Sequence, residues 1–151
     1  MPGYATDTVA RLETNLDDCT PEILGAAMTL LFEKGALDVW HTPIQMKKGR
    51  PGVLLSVLCE ETAVETMADV LFAETTAFGL RVEKVTRLKL DREFRTVATP
   101  YGEVVIKLGL KAGRIIQRSP EFESCAAAAR TAGVAVREVF TAALAAAGEL
   151  N

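Results

Sequence analysis

The sequence predicts an α+β protein, a ferredoxin-like βαββαβ sandwich followed by a β-hairpin and a C-terminal helical pair. Three observations carry this. Four strand-like runs flank two helical ones within the first ninety residues or so. Helix starts are marked by a hydroxyl residue and proline, and helix ends by glycine. The composition then shifts, so that the last thirty or so residues are rich in alanine. These shifts divide the chain into an N-terminal extension over 1–8, a core over 9–91 and a C-terminal subdomain over 92–151.

"TVARLETNL" (8–16) alternates in polarity and reads as a strand. Thr20 is placed to cap a helix, with Pro21 at its first position and Glu22 in its first turn. Leu24, Met28 and Leu31 share a face of it, and Gly35 stops it. "LDVWHTPIQM" (37–46) is extended, with Pro43 pointing to an edge strand or a bend. "GVLLSVLCE" (52–60) is nearly all apolar and reads as a central strand. The run 61–77 is helical, with Val64, Met67 and Leu71 on one face, and Gly79 breaks it. "LRVEKVTRLKL" (80–90) is a charged strand. Residues 92–110 read as a hairpin turning at Pro100, Tyr101 and Gly102. Ser119 and Pro120 then repeat the helix-start pattern for 119–131, and Gly133 separates that helix from 136–150. Alanine favours helix but buries little area, so these two helices must pack closely on something, another subunit included.

Hydrophobic residues make up 49% of the chain, charged residues 25%, and the net charge is −3. That balance argues against general nucleic-acid binding, which needs a basic face. No apolar run is long enough to span a membrane, and the first residues lack an apolar signal core. A cytoplasmic protein is expected. Cys19, Cys59 and Cys125 form no C-x-x-C pair, which points to reduced thiols rather than a disulfide or zinc framework.

Four segments hold chemistry-bearing residues, and each also has an ordinary structural reading. "ETNLDDCTPE" (13–22) offers Glu13, Asn15, Asp17, Asp18 and Glu22 where a strand meets a helix. Hard oxygens of this kind suit magnesium or manganese, and equally complement a helix N-terminus. "QMKKGRPG" (45–52) crowds Lys47, Lys48 and Arg50 around Gly49. Those cations suit phosphate oxygens, or they guard a sheet edge against aggregation. In "AETTAFGLR" (73–81), Thr75, Thr76 and Arg81 could hold a nucleotide, or cap a helix and solvate a strand. In "SPEFESC" (119–125), Glu121, Glu123 and Cys125 sit in a helix's first turn, where a thiolate could take a soft metal and a buried packing thiol is the alternative. His41, the single histidine, reads as a satisfied structural residue rather than a ligand.

Taken in order, "LETNLDDCTPEILG", "GALDVWHTPIQMKKGRPGVLLSVLC", "ETTAFGLR", "TPYGEVVIK" and "PEFESC" resemble the C-terminal domain of the LarC family, over Arg11 to Ala146. These are nickel-insertion proteins that complete the nickel-pincer nucleotide cofactor of lactate racemase. The resemblance implies a lyase-type cyclometallase that consumes CTP with Mg2+ or Mn2+ and inserts nickel into pyridinium-3,5-bisthiocarboxylic acid mononucleotide. It makes Lys47, Lys48 and Arg50 triphosphate contacts, Thr75, Thr76 and Arg81 the rest of the nucleotide pocket, and Asp17 and Asp18 metal ligands. It also implies a homo-oligomer and an N-terminal domain of the same protein as partners. That histidine-rich domain is missing here, so the chain looks like a fragment or a separately encoded half, incomplete for catalysis. Cys19 stands where the family pattern has methionine and is not expected to bind metal. The competing expectation is a ferredoxin-like module that binds a small ligand for regulation, or an oligomerisation domain, without catalysis.

Overall fold

The computed structural model describes residues 3–150. Residues 1 and 2 of the expected extension, and Asn151, lie outside the described residues. The elements run β1 (Ala5–Leu16), α1 (Pro21–Glu33), β2 (Asp38–Gln45), β3 (Pro51–Cys59), α2 (Val64–Glu74), β4 (Arg81–Lys89), β5 (Asp91–Thr99), β6 (Gly102–Lys111), β7 (Arg114–Pro120), α3 (Phe122–Ala132) and α4 (Val136–Ala147). Two compact units result, Thr6–Arg87 and Leu88–Asn151 with Met1–Ala5.

In the first unit the strands form one sheet in the order β2-β3-β1-β4, the ferredoxin-like order expected of βαββαβ. Central β3 pairs antiparallel with β1 and with β2. The register sets Leu12, Val57 and Val39 side by side on one face, and all three are buried. α1 and α2 cover that face with Leu24, Leu31, Met67 and Leu71. The helix starts where the residues dictate: the Thr20 hydroxyl accepts from the Ile23 amide at 3.4 Å, and Pro21 needs no donor at the first position. Gly35, at φ 96°, takes the left-handed conformation that ends it. Pro43 lies on the edge strand, as expected. α2 is shorter than the predicted 61–77. Glu61–Ala63 is a single 3-10 turn, and the helix stops at Glu74, where Thr75 turns extended and its hydroxyl donates to the Leu71 carbonyl at 2.5 Å.

In the second unit the hairpin β5–β6 turns as predicted, with Gly102 at φ 113°. A third strand, β7, extends it to the sheet β5-β6-β7. That corrects the helix start read at Ser119 and Pro120. Both residues end β7, where Ser119 faces Lys107 across the ladder and Pro120 is buried, and α3 begins only after Glu121. The alanine-rich helices pack on their own sheet. Ala129, Ala143 and Ala147 lie in one core with Val104, Ile106 and Leu108 of the sheet. Among the described residues, no helix is long and apolar enough to cross a membrane.

Candidate functional site

Three of the four chemistry-bearing segments meet around the C-terminal end of β1. β1 ends at Leu16, and the chain turns at Asp17 and Asp18 before Thr20 caps α1. The β2–β3 connection brings the cations alongside. Its turn is closed by the Met46 amide, which donates to the Arg50 carbonyl at 2.8 Å. Lys48 (φ 62°) and Gly49 (φ 68°) both adopt the left-handed conformation inside it. Glycine does so freely, whereas lysine does so at a cost. Arg50 then reaches Asp17, Nη1 to Oδ2 at 3.3 Å. The α2–β4 loop closes the other side, where the Thr76 hydroxyl donates to Asp18 Oδ1 at 2.5 Å.

Arg81 belongs to a second group of contacts. Its Nη2 donates to Asn15 Oδ1 at 2.7 Å and lies 3.8 Å from Glu13 Oε2. Glu13 also receives the Ser56 hydroxyl at 3.4 Å and sits 3.4 Å from Arg11 Nε. Arg11 in turn donates to Glu83 at 2.7 Å, and that hydrogen bond, with the Glu13 charge, holds its pKa above the ordinary guanidinium value. By strand alternation, Arg11, Glu13 and Asn15 project from the sheet face opposite Leu12 and Leu16. Glu13 and Asn15 are therefore held by arginines.

Lys47 and Lys48 differ from every other cation at this end. Both are exposed, and neither makes an ion pair or side-chain hydrogen bond among the described residues. Thr75, by contrast, spends its hydroxyl on the helix end: it donates to Leu71 and accepts from the Ala77 amide at 3.2 Å. Glu22 is exposed in the first turn of α1. Among the described residues, no three His, Cys, Asp or Glu side chains gather around one point. A cation here would rest on Asp17 and Asp18, with a ligand's own oxygens and water for the remainder. That donor set fits magnesium or manganese on a polyphosphate, which takes one or two carboxylates from the protein.

A groove of about 300 Å³ opens beside Asp17, lined by Leu16, Cys19, Leu24, Met28, His41 and Gly52 among others. His41 is exposed at this groove and has no hydrogen-bond partner among the described residues, so the reading as a satisfied structural histidine does not hold. Alternation places it on the helix-covered face with Val39, but edge strand β2 leaves it uncovered. Gly52 went unread as a positioning residue. A Cβ there would lie 2.6 Å from the Leu16 carbonyl oxygen and 2.8 Å from Met46 Sδ. Only glycine lets β3 approach the end of β1 this closely, and that approach brings the cationic turn to Asp17.

The fourth segment forms no site. Glu121 precedes α3 and pairs with Lys107 at 3.0 Å. Cys125 is fully buried, and burial raises its pKa, so it is not the activated thiolate that a helix start can make. Cys59 is likewise buried and raised, while Cys19 is half-buried; all three are free thiols.

The family described as nickel insertion protein matches residues 1–140. A pyridinium-3,5-bisthiocarboxylic acid mononucleotide nickel insertion protein of Clostridium acetobutylicum is 46% identical over 131 residues, covering 87% of this chain and 31% of the relative. The protein of the same name in Clostridium kluyveri is 43% identical over 129 residues, covering 85% of the chain and 32% of the relative. The chain thus spans about a third of the length of these curated relatives. A solved structure of LarC2, the C-terminal domain of a cyclometallase involved in synthesis of the NPN cofactor of lactate racemase, superposes with a TM-score of 0.90 at 39% identity. It covers 96% of this chain and 100% of that one. A Methanopyrus kandleri protein superposes at 0.69 with 26% identity, covering 94% and 90%. The chain belongs to the nickel insertion protein family and has the fold of the LarC C-terminal domain.

Proposed function

We propose that the cluster at the end of β1 binds CTP together with Mg2+ or Mn2+, as the C-terminal part of a nickel-inserting cyclometallase. Its substrates would be nickel and the pyridinium bisthiocarboxylate mononucleotide named in its relatives. The observation that carries this is the pair of unpartnered cations, Lys47 and Lys48, on a turn whose next cation, Arg50, already touches Asp17. In a chain of net charge −3, two unpaired lysines beside two carboxylates are suited to a metal–polyphosphate. Lys47 and Lys48 contact the triphosphate, and Arg50 is shared between it and Asp17. Asp17 and Asp18 hold the cation, which when bound neutralises and polarises phosphate oxygens. Thr76 orients Asp18, Thr75 fixes the loop that presents Thr76, and Arg81 steadies Asn15 and Glu13 at the pocket's edge.

Calorimetry with CTP, GTP and ATP, each with manganese, tests this. Heat with CTP alone is expected; no heat with CTP, or equal heat with all three, would sink it. Lys47→Glu with Lys48→Glu should weaken CTP at least about tenfold without moving the melting temperature, since both side chains are solvated. A second reading is favoured by one fact: the chain is about a third of its relatives' length. On that reading the chain alone is a binding or oligomerisation module, and catalysis needs the rest of the protein. Pyrophosphate release from CTP with precursor and nickel separates the two readings.

A further inference from the structure

The three-stranded sheet has a face that its helices do not cover. Arg95 and Val97 pair with Ile106 and Val104 on the covered side. By alternation the other side carries two cross-strand rows, Phe94–Lys107–Ser119 and Arg92–Gly109–Gln117. Phe94 is 59% exposed there.

A pocket of about 290 Å³ lies on this face, close to the size of small ligand sites. Its floor is apolar and shallow. A Cβ at Gly109 would lie 2.7 Å from Leu90 Cδ1 and 3.0 Å from Gln117 Cβ, so Leu90 rests directly on the glycine. Leu88 extends the apolar part, and the β6–β7 register shifts at Gly109/Leu110 beneath it. The polar lining is one-sided in charge: Lys89, Arg92 and Lys107 with Gln117 and Ser119, and no acid. Lys107 is partly offset by Glu121 at 3.0 Å, whereas Arg92 is exposed and makes no ion pair among the described residues. The cations select an acid, Leu88 and Leu90 offer an apolar bed with Phe94 beside Lys107 on the same face, and the amide and hydroxyl can fix the orientation of a planar body.

We propose that this pocket binds an aromatic ring carrying acid groups, of the class of an acidic pyridinium mononucleotide, at a site separate from the Lys47–Asp17 cluster. The choice of ring rests on the function proposed above, because the relatives are named for a pyridinium mononucleotide with two thiocarboxylic acids. The site itself rests on the sheet face alone. It gives the precursor and the nucleotide different seats on one chain.

The test uses nicotinic acid mononucleotide, a pyridinium mononucleotide with one ring carboxylate, titrated into the whole chain by calorimetry. Binding is expected, and Arg92→Glu should weaken it at least about tenfold while leaving CTP with manganese unchanged. Unchanged affinity in Arg92→Glu overturns the proposal. So does equal binding of inorganic phosphate, which would mean that the ring is not read. A shift of Arg92→Glu from oligomer to monomer in sedimentation also overturns it, since the face would then be a subunit contact. If CTP fails to bind while the mononucleotide binds and Arg92→Glu loses it, the CTP reading falls and this site stands. If CTP binds and the mononucleotide does not, the reverse holds.

Discussion

Both units are a sheet with two helices on one face, yet they fill their cores differently. The four-stranded unit uses large side chains on sheet and helices alike: Leu12 and Leu55 against Leu31, Met67 and Leu71. The three-stranded unit meets Val104, Ile106 and Leu108 mostly with small residues, Ala129, Ala143, Ala147 and Cys125, with Val139 the larger exception, so most of its helical residues bury little. The candidate chemistry follows the same division. In the first unit it gathers on loops at the ends of strands, where backbone turns aim Lys48 and Arg50. In the second it lies on the open sheet face, where cross-strand register aims Arg92 and Lys107.

The sharpest way to break this comparison is truncation. Leu12→Ala removes a fully buried side chain from the centre of the first sheet and should cost about 3–5 kcal/mol. Ala143→Gly, equally buried, removes one methyl and some helix propensity and should cost about 1–2 kcal/mol. Urea titration monitored by circular dichroism reads both. Comparable losses would mean that the alanine core is as demanding as the leucine core, and that the contrast is wrong.

Two glycines sharpen it further. At Gly52 a new Cβ meets backbone, the Leu16 carbonyl, which cannot move without opening the β1–β3 ladder. At Gly109 it meets the tip of the Leu90 side chain first, which can swing. Gly52→Ala should cost about 2–3 kcal/mol and weaken the proposed CTP binding as the cationic turn is pushed from Asp17, while Gly109→Ala should cost about 1 kcal/mol. Equal losses in melting experiments, or full CTP affinity in Gly52→Ala, would remove Gly52 from its positioning role.

The first unit was readable from residues because each of its devices is local. A hydroxyl and proline open α1, a left-handed glycine closes it, and period-2 and period-3.6 patterns alternate cleanly around them. The third strand of the second unit was not readable, because "SPEFES" carries the same hydroxyl-proline-acid grammar as "TPEI". Non-local pairing decides otherwise: Ser119 faces Lys107, and the Glu121 amide donates to the Val105 carbonyl at 2.9 Å. Of the candidate site, the residue types were legible and their pairing was not. That Arg50 takes Asp17 while Lys47 and Lys48 stay unpaired depends on a turn with two left-handed residues and on Gly52, neither of which a charge count reveals. The pocket over the second sheet gave no signal either, since its cations come from three separate strands, β4, β5 and β6.

The two helix starts give a smaller test of that misreading. Thr20→Ala removes a hydroxyl that accepts from Ile23 and should cost about 1 kcal/mol. Ser119→Ala removes no cap, because Ser119 belongs to β7 and is exposed, so its cost should stay below about 0.5 kcal/mol. A loss at Ser119 equal to that at Thr20 would restore a capping role that the register denies it.

The smallest effect concerns the thiols. Burial raises the pKa of Cys59 and Cys125, so the folded state prefers both protonated. A group whose folded pKa lies above its unfolded value stabilises the fold fully below the unfolded value and loses that contribution as pH rises through the folded one. With an unfolded thiol near about 8.5, the urea midpoint should hold from pH 7 to 8 and fall through the next unit or two. The same burial predicts that a thiol reagent at pH 8 labels Cys19 rapidly and the other two only as the protein unfolds. One cysteine comes from each core, so their relative rates of labelling rank the opening of the leucine-packed unit against the alanine-packed one. If Cys125 labels no faster than Cys59 in dilute urea, close-packed alanines hold a core as firmly as interlocking leucines do.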